Sequence, residues 1–204
     1  LLLRKKIEFG FVSPKAFLTQ SKYNHSIGTS IGLMDRADRL VIGFSLETPI
    51  LGKYAVTSSI IALLRFLPDS IARLLIAKEN FQKWGFLGNK YLISTSILTL
   101  PFVAIGVARF VVENWLGSEW LIAINICLAI ALQELLRGFY VILANKKIGV
   151  GFSRNVNSSS IMLPILAIAL SQLFLGQIGL IAVPIGFAIA YGVSIIRLLR
   201  NKKL

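Results

Sequence analysis

The chain has 204 residues, of which 55% are apolar and only 15% are charged, and its mean hydropathy is +0.75. Such a balance excludes a soluble domain, because there is too little polar surface to cover the fold, and it predicts an integral membrane protein. The net charge of +13 is then a question of topology before it is one of nucleic acid, and no nucleic-acid partner is expected.

A chain of this length holds about five to seven spans of roughly 20 residues, so one transmembrane domain is expected, with no room for a soluble enzyme domain. Cys127 is the one cysteine, which excludes an internal disulfide and a cysteine-based metal cluster. His25 stands alone, and no glycine-rich phosphate loop follows a strand; Gly149 and Gly151 only resemble one superficially. The expectation is therefore no enzyme activity, no catalytic residues, no metal and no cofactor.

In chain order, residues 1–24 read as a cytoplasmic or interfacial segment. Arg4, Lys5, Lys6, Lys15 and Lys22 surround scattered aromatics, and Ser13-Pro14 is an N-cap and first-turn pair for a short helix resting Ala16, Phe17 and Leu18 on headgroups. An inter-helix linker fits equally well. The opening LLLRKK places its basic cluster after its apolar residues, the reverse of a signal peptide, and reads as a cut edge with an upstream portion missing.

Span one covers roughly 25–46. Gly28 and Gly32, four apart, suit close approach to a neighbouring helix. Asp35, Arg36, Asp38 and Arg39 interrupt it, and each charge at membrane depth costs about 2.5–3.5 kcal/mol unless it meets protein, water or a bound polar group. Span two, about 50–76, follows an expected tight turn over residues 49–52. Arg65, Asp69 and Arg73 recur every four residues on one face, and Pro68 is expected to kink the helix.

Span three, about 90–112, carries a Ser/Thr stripe, and Arg109 and Glu113 form an expected i,i+4 pair near its end. Trp115 and Trp120 suit an aromatic belt. Span four, about 119–144, is apolar until Gln133, Glu134 and Arg137, the last two spaced to pair. Spans five and six, about 159–176 and 178–198, are the most apolar and join at a hairpin tip over residues 176–179.

Charge sorts the loops. Arg4, Lys5, Lys6, Lys15 and Lys22, then Arg73, Lys78, Lys83 and Lys90, then Lys146, Lys147 and Arg154, and finally Arg197, Arg200, Lys202 and Lys203 fall on one side; the other receives Lys53 alone. The positive-inside rule then predicts six spans with both termini cytoplasmic. The fold class expected is an all-α polytopic bundle of about six transmembrane helices.

Two readings of the intramembrane charges stand side by side. Arg36, Arg39 and Arg65 can form a cationic zone that grips a phosphate or pyrophosphate through planar guanidinium forks. Alternatively Asp35 pairs with Arg39, Arg65 and Arg73 bracket Asp69, and Glu134 pairs with Arg137, all as structural ion pairs. Asp38, Asp69 and Glu134 are the carboxylates that can take up a proton if transport is ion-coupled.

The stretch Asp38-Arg39-Leu40-Val41-Ile42-Gly43, followed by Leu51-Gly52-Lys53-Tyr54-Ala55, resembles a signature of bacterial polysaccharide transporters, the Wzx-type flippases of lipid-linked oligosaccharides within the MATE-like superfamily. The resemblance implies a C-terminal six-helix lobe in the bacterial cytoplasmic membrane. It implies as partners a lipid-linked oligosaccharide, membrane lipids and a missing N-terminal six-helix lobe, with cationic side chains holding the polyprenyl-pyrophosphate head. Two alternatives remain open: a multidrug or ion-coupled exporter, in which the carboxylates contact a cationic substrate, and a non-transporting membrane assembly subunit.

Overall fold

A computed structural model describes residues 14–66, 68–70, 102–103, 105–107, 109–117, 120, 126–149 and 153–200. All regular structure among them is helical. Residues 1–13, the end of the expected second span with Arg73, most of the third span, Lys78, Lys83, Lys90, Gly151, Lys202 and Lys203 lie outside the described residues.

Helix α1 runs over Pro14–Ser45 without a break, 32 residues or about 48 Å at 1.5 Å per residue. The expected separate surface helix before residue 25 is therefore the first part of one long helix. Proline fits its start because the first helical N–H has no intrahelical acceptor to lose. Helix α2 covers Thr48–Ile61, so the corner lies at Leu46 and Glu47 rather than at the expected 49–52. The reason is the same, since Pro49 occupies the first turn of α2 and needs no donor there.

Past Ile61 the chain tightens into a 3-10 turn, Ala62–Arg65. Pro68 explains it: a proline lacks the N–H that would bond to residue 64, and its ring crowds that carbonyl. The expected kink thus takes the form of a tightened turn just before the proline. A π-helical turn, Val112–Leu116, closes at Gly117, whose φ of +88° only glycine adopts freely.

Helix α3 spans Cys127–Gly149, reaching past the expected end at 144. Helix α4 spans Ser153–Ile178, starting six residues before the expected fifth span. A 3-10 turn over Gly179–Ile181 leads into helix α5, Ala182–Arg200. Gly179 has φ +60°, so the hairpin reverses there, at the end of the expected tip over residues 176–179. Two apolar helical stretches, Cys127–Ile148 and Val156–Arg200, are long enough to cross a membrane. The second, of 45 residues, is divided by the turn at Gly179 into two helices.

Side-chain and backbone contacts fix the helix directions. Ser171 Oγ donates to the Val183 carbonyl, and Arg197 reaches Ser158, so α4 and α5 are antiparallel. Gly186 permits their closest approach, because a Cβ there would lie 2.7 Å from the Ser171 backbone nitrogen. Gln172 donates to Ser45, while Ser30 and Ser160 line one cavity, so α1 and α4 run parallel. Asp38 meets Tyr54, and Asp35, one turn earlier, meets Arg65, so α1 and α2 are antiparallel.

Helices α2 and α3 run in the same direction, since Arg65 meets Glu134 and the Pro68 ring sits on Gly138. Helix α3 packs against α5 along its length, and Ile130, Ala131, Tyr140 and Ala144 join Ile42, Tyr54, Val156 and Phe187 in the core. These directions gather one end of the bundle. It holds the N-terminal end of α1, the C-terminal end of α3, the start of α4 and the end of α5, with Lys22, Lys146, Lys147, Arg154, Arg197 and Arg200. Glu47 and Lys53 lie at the other end.

Candidate functional site

Helices α1, α2 and α3 converge on a network of five charged side chains. Arg65, at the end of the 3-10 turn, grips Glu134 of α3 with both forks: Nε donates to Oε2 at 2.8 Å and Nη2 to Oε1 at 2.6 Å. Its third donor, Nη1, reaches Asp35 Oδ1 of α1 at 3.0 Å. Arg137, one turn along α3 from Glu134, lies 3.5 Å from the same Asp35 oxygen and donates to Asp69 at 3.2 Å. Bidentate guanidinium-carboxylate geometry of this kind is among the stronger polar contacts a protein makes. The Glu134 side chain is 2% exposed, which leaves Arg65 as its cation.

Asp38 lies one turn from Asp35 and is also buried. It has no cation within ion-pair distance among the described residues. Tyr54 OH donates to its Oδ2 at 3.1 Å, and the Arg39 backbone N–H donates to Oδ1 at 2.8 Å. Beside the network is a cavity of about 10 Å³ lined by Ser30, Met34, Arg137, Tyr140, Ser160 and Tyr191, room for roughly one water molecule. Tyr140 and Tyr191 pack there with ring centroids 5.8 Å apart, and the Tyr140 and Ser160 hydroxyls are hydrogen-bonded at 2.7 Å.

This geometry rearranges the expected site. Arg65 does not join Arg36 and Arg39 in one cationic zone, because all of its forks face carboxylates. Asp35 pairs with Arg65 and Arg137 rather than with Arg39 on its own helix. Asp69 pairs with Arg137, and Glu134 pairs with Arg65. The physical reason is common to all three: partners on different helices approach head-on, whereas partners on one helix reach each other only by bending along its surface. Arg109 and Glu113, both exposed, do pair along one helix at 2.7 Å.

Arg36 and Arg39 remain. Both are exposed on one side of α1, three residues apart, and neither makes an ion pair with a described carboxylate. Arg39 makes one long contact, Nη2 to Ser59 Oγ at 3.4 Å. On the same side of α1, Gly28 and Gly32 have nothing within 4 Å of a Cβ position, so that face is open among the described residues.

Tyr54 and Tyr191 join the site without being marked as site residues by the sequence. A signal for Tyr54 exists, since a corner near residue 46 folds position 54 back onto position 38. Tyr191 carries none, being one aromatic in an apolar span. The Gln133 and Asn157 side-chain oxygens are buried without a hydrogen-bond partner among the described residues. Among those residues no group of three or more His, Cys, Asp or Glu side chains is arranged to hold a metal ion. No family model matches the chain, and neither does any curated protein or solved structure.

Proposed function

We propose that this chain is the C-terminal lobe of a six-span, MATE-like membrane transporter that flips a polyprenyl-pyrophosphate-linked oligosaccharide across the bacterial cytoplasmic membrane. Membrane embedding is supported by the outer surface. Phe44 is 86% exposed, Phe66 80% and Trp115 80%, amid many other exposed apolar side chains, more than a soluble surface tolerates. Orientation is supported by the gathering of Lys22, Lys146, Lys147, Arg154, Arg197 and Arg200 at one end, which the positive-inside rule makes cytoplasmic.

The observation that carries the transport reading is the open face of α1. Arg36 and Arg39 sit more than one turn from its C-terminal end with their guanidinium groups unclaimed by any carboxylate among the described residues, at a depth where charge facing lipid tails is costly. A wet space shared with a second lobe satisfies them, and an acidic lipid head passing through that space gives them their ligand. Arg65 acts differently, locking α1, α2 and α3 together so that the arginine-bearing face is held rigid. Asp38, buried with Tyr54 and without an ion-pair partner among the described residues, remains the carboxylate placed to exchange a proton.

A second reading has an observation of its own. The network of Arg65, Arg137, Asp35, Asp69 and Glu134 is satisfied internally, and the adjoining cavity holds about one water, as in a membrane assembly subunit with no transport cycle. Reconstitution of the complete transporter in vesicles separates the readings. Movement of a lipid-linked oligosaccharide, lost in the Arg36→Ala/Arg39→Ala variant while insertion persists, supports the flippase. Movement of a cationic dye instead supports a multidrug exporter, and movement of neither supports the assembly subunit.

A further inference from the structure

We infer that the basic end of the α4/α5 hairpin is a docking site for an anionic phospholipid of the cytoplasmic leaflet. The inference rests on the membrane orientation proposed above, but not on the identity of any transported substrate. The contacts of Ser171 with Val183 and of Ser158 with Arg197 fix the antiparallel register, and that register brings Arg154 of α4 level with Arg200 of α5, one turn beyond Arg197. Three guanidinium groups thus share the end of one helical hairpin. No carboxylate pairs with any of them among the described residues.

Arg197 is held in place. Its Nη2 donates to Ser158 Oγ at 2.8 Å and its Nη1 approaches Met162 Sδ at 2.6 Å, so its side chain is already ordered at the seam between the helices. Ordering beforehand lowers the entropic cost of binding. Arg154 and Arg200 are exposed on either side. A guanidinium suits phosphate oxygens through parallel N–H donors.

The surface below these arginines is apolar. Ile161 and Ile165 on α4, with Val193 and Ile196 on α5, are 44%, 65%, 41% and 56% exposed and continue from the basic end toward the hairpin tip. A cationic head site over an apolar strip matches an amphiphile with an anionic head. A basic site between helices at the cytoplasmic surface is the usual setting for phospholipid headgroup recognition. The apolar strip selects a lipid over a free phosphate ion.

The test uses the full chain in detergent, with native mass spectrometry of bound lipid during titration by phosphatidylglycerol, cardiolipin or phosphatidylcholine, and flotation with pure phosphatidylcholine vesicles in parallel. The expected result is retention of the two anionic lipids over phosphatidylcholine. Affinity falls about fivefold for each arginine neutralised and on the order of a hundredfold for Arg154→Gln/Arg197→Gln/Arg200→Gln. Arg154→Gln alone, which removes no described contact, shows the single step in a folded chain. The triple lysine variant keeps most of the preference, and Arg109→Gln, an exposed arginine elsewhere, changes nothing.

Equal binding of phosphatidylcholine, or a triple glutamine variant that binds as the parent does, overturns the inference while the membrane reading stands. Displacement of the lipid by equimolar inorganic phosphate overturns it in favour of an ion site. A chain that fails to float with phosphatidylcholine vesicles overturns the inference and the membrane reading together.

Discussion

Arg65→Met tests whether the buried network holds the bundle together. Methionine is similar in length but carries no donor, so the change removes the contacts at 2.8, 2.6 and 3.0 Å and the cation facing Glu134. With that side chain 2% exposed, water cannot replace the lost partner. Breaking a buried ion pair on one side costs about 3–5 kcal/mol. At about 2–4 °C per kcal/mol for a chain of this size, Tm falls by about 6–20 °C.

The paired variant Arg65→Met/Glu134→Met separates this effect from lost packing. It removes both charges, and apolar replacement of a buried pair is often neutral or better. Asp35 retains Arg137, so most of the lost Tm returns. The assay is thermal unfolding of the detergent-solubilised chain, followed by size-exclusion recovery after heating. A loss below about 3 °C for Arg65→Met, or a double variant as unstable as the sum of its single changes, would refute the assignment of this network as the joint between helices.

Further outcomes follow from individual contacts. Gly186→Ala sets a Cβ 2.6 Å from Ser171 Oγ and 2.7 Å from its backbone nitrogen; α4 and α5 must separate, at a cost of about 1–3 kcal/mol or more, read as a lower Tm. Gly32→Ala, with nothing within 4 Å, leaves Tm unchanged or slightly raised in the same assay, and a clear loss would show that the α1 face is already packed within this chain. Tyr54→Phe removes the donor 3.1 Å from the buried Asp38 carboxylate and costs about 1–3 kcal/mol. Adding Asp38→Asn recovers part of that loss, because a neutral amide is cheaper to bury than a carboxylate, and the recovery is measured as the Tm difference between single and double variants.

The helical class, the apolar exterior and the gathering of basic residues at one end are legible in the sequence because each depends on composition or on the order of loops. The locations of the corners are less so. Pro49 and Gly52 look like turn residues, yet proline is equally at home in the first turn of a helix, and only the tertiary path distinguishes the two. The pairing of charges is least legible. Spacing along one helix offers Asp35 to Arg39 and Glu134 to Arg137, but Arg65 lies 30 residues from Asp35 and 69 from Glu134. Contacts that distant depend on how helices cross, information that local periodicity does not carry.

The charges on α1, on α3 and on the segment that follows α2 balance in number while dividing in space. Asp35, Asp38, Asp69 and Glu134 stand against Arg36, Arg39, Arg65 and Arg137, so no net charge needs to be held within the bundle. Arg65 and Arg137 are directed inward at three of the carboxylates, and Arg36 and Arg39 are turned outward. The interior is left with an excess of acid and the open face of α1 with an excess of base. Arginines of the first kind cost stability when removed. Those of the second kind, exposed and without an ion pair among the described residues, change it by no more than about 0.5 kcal/mol. Arg36→Ala/Arg39→Ala is therefore expected to melt within about 2 °C of the parent while abolishing oligosaccharide movement in vesicles, whereas Arg65→Met loses both together. A double variant that melts early would place Arg36 and Arg39 within the structural joint and remove the open face as a ligand site.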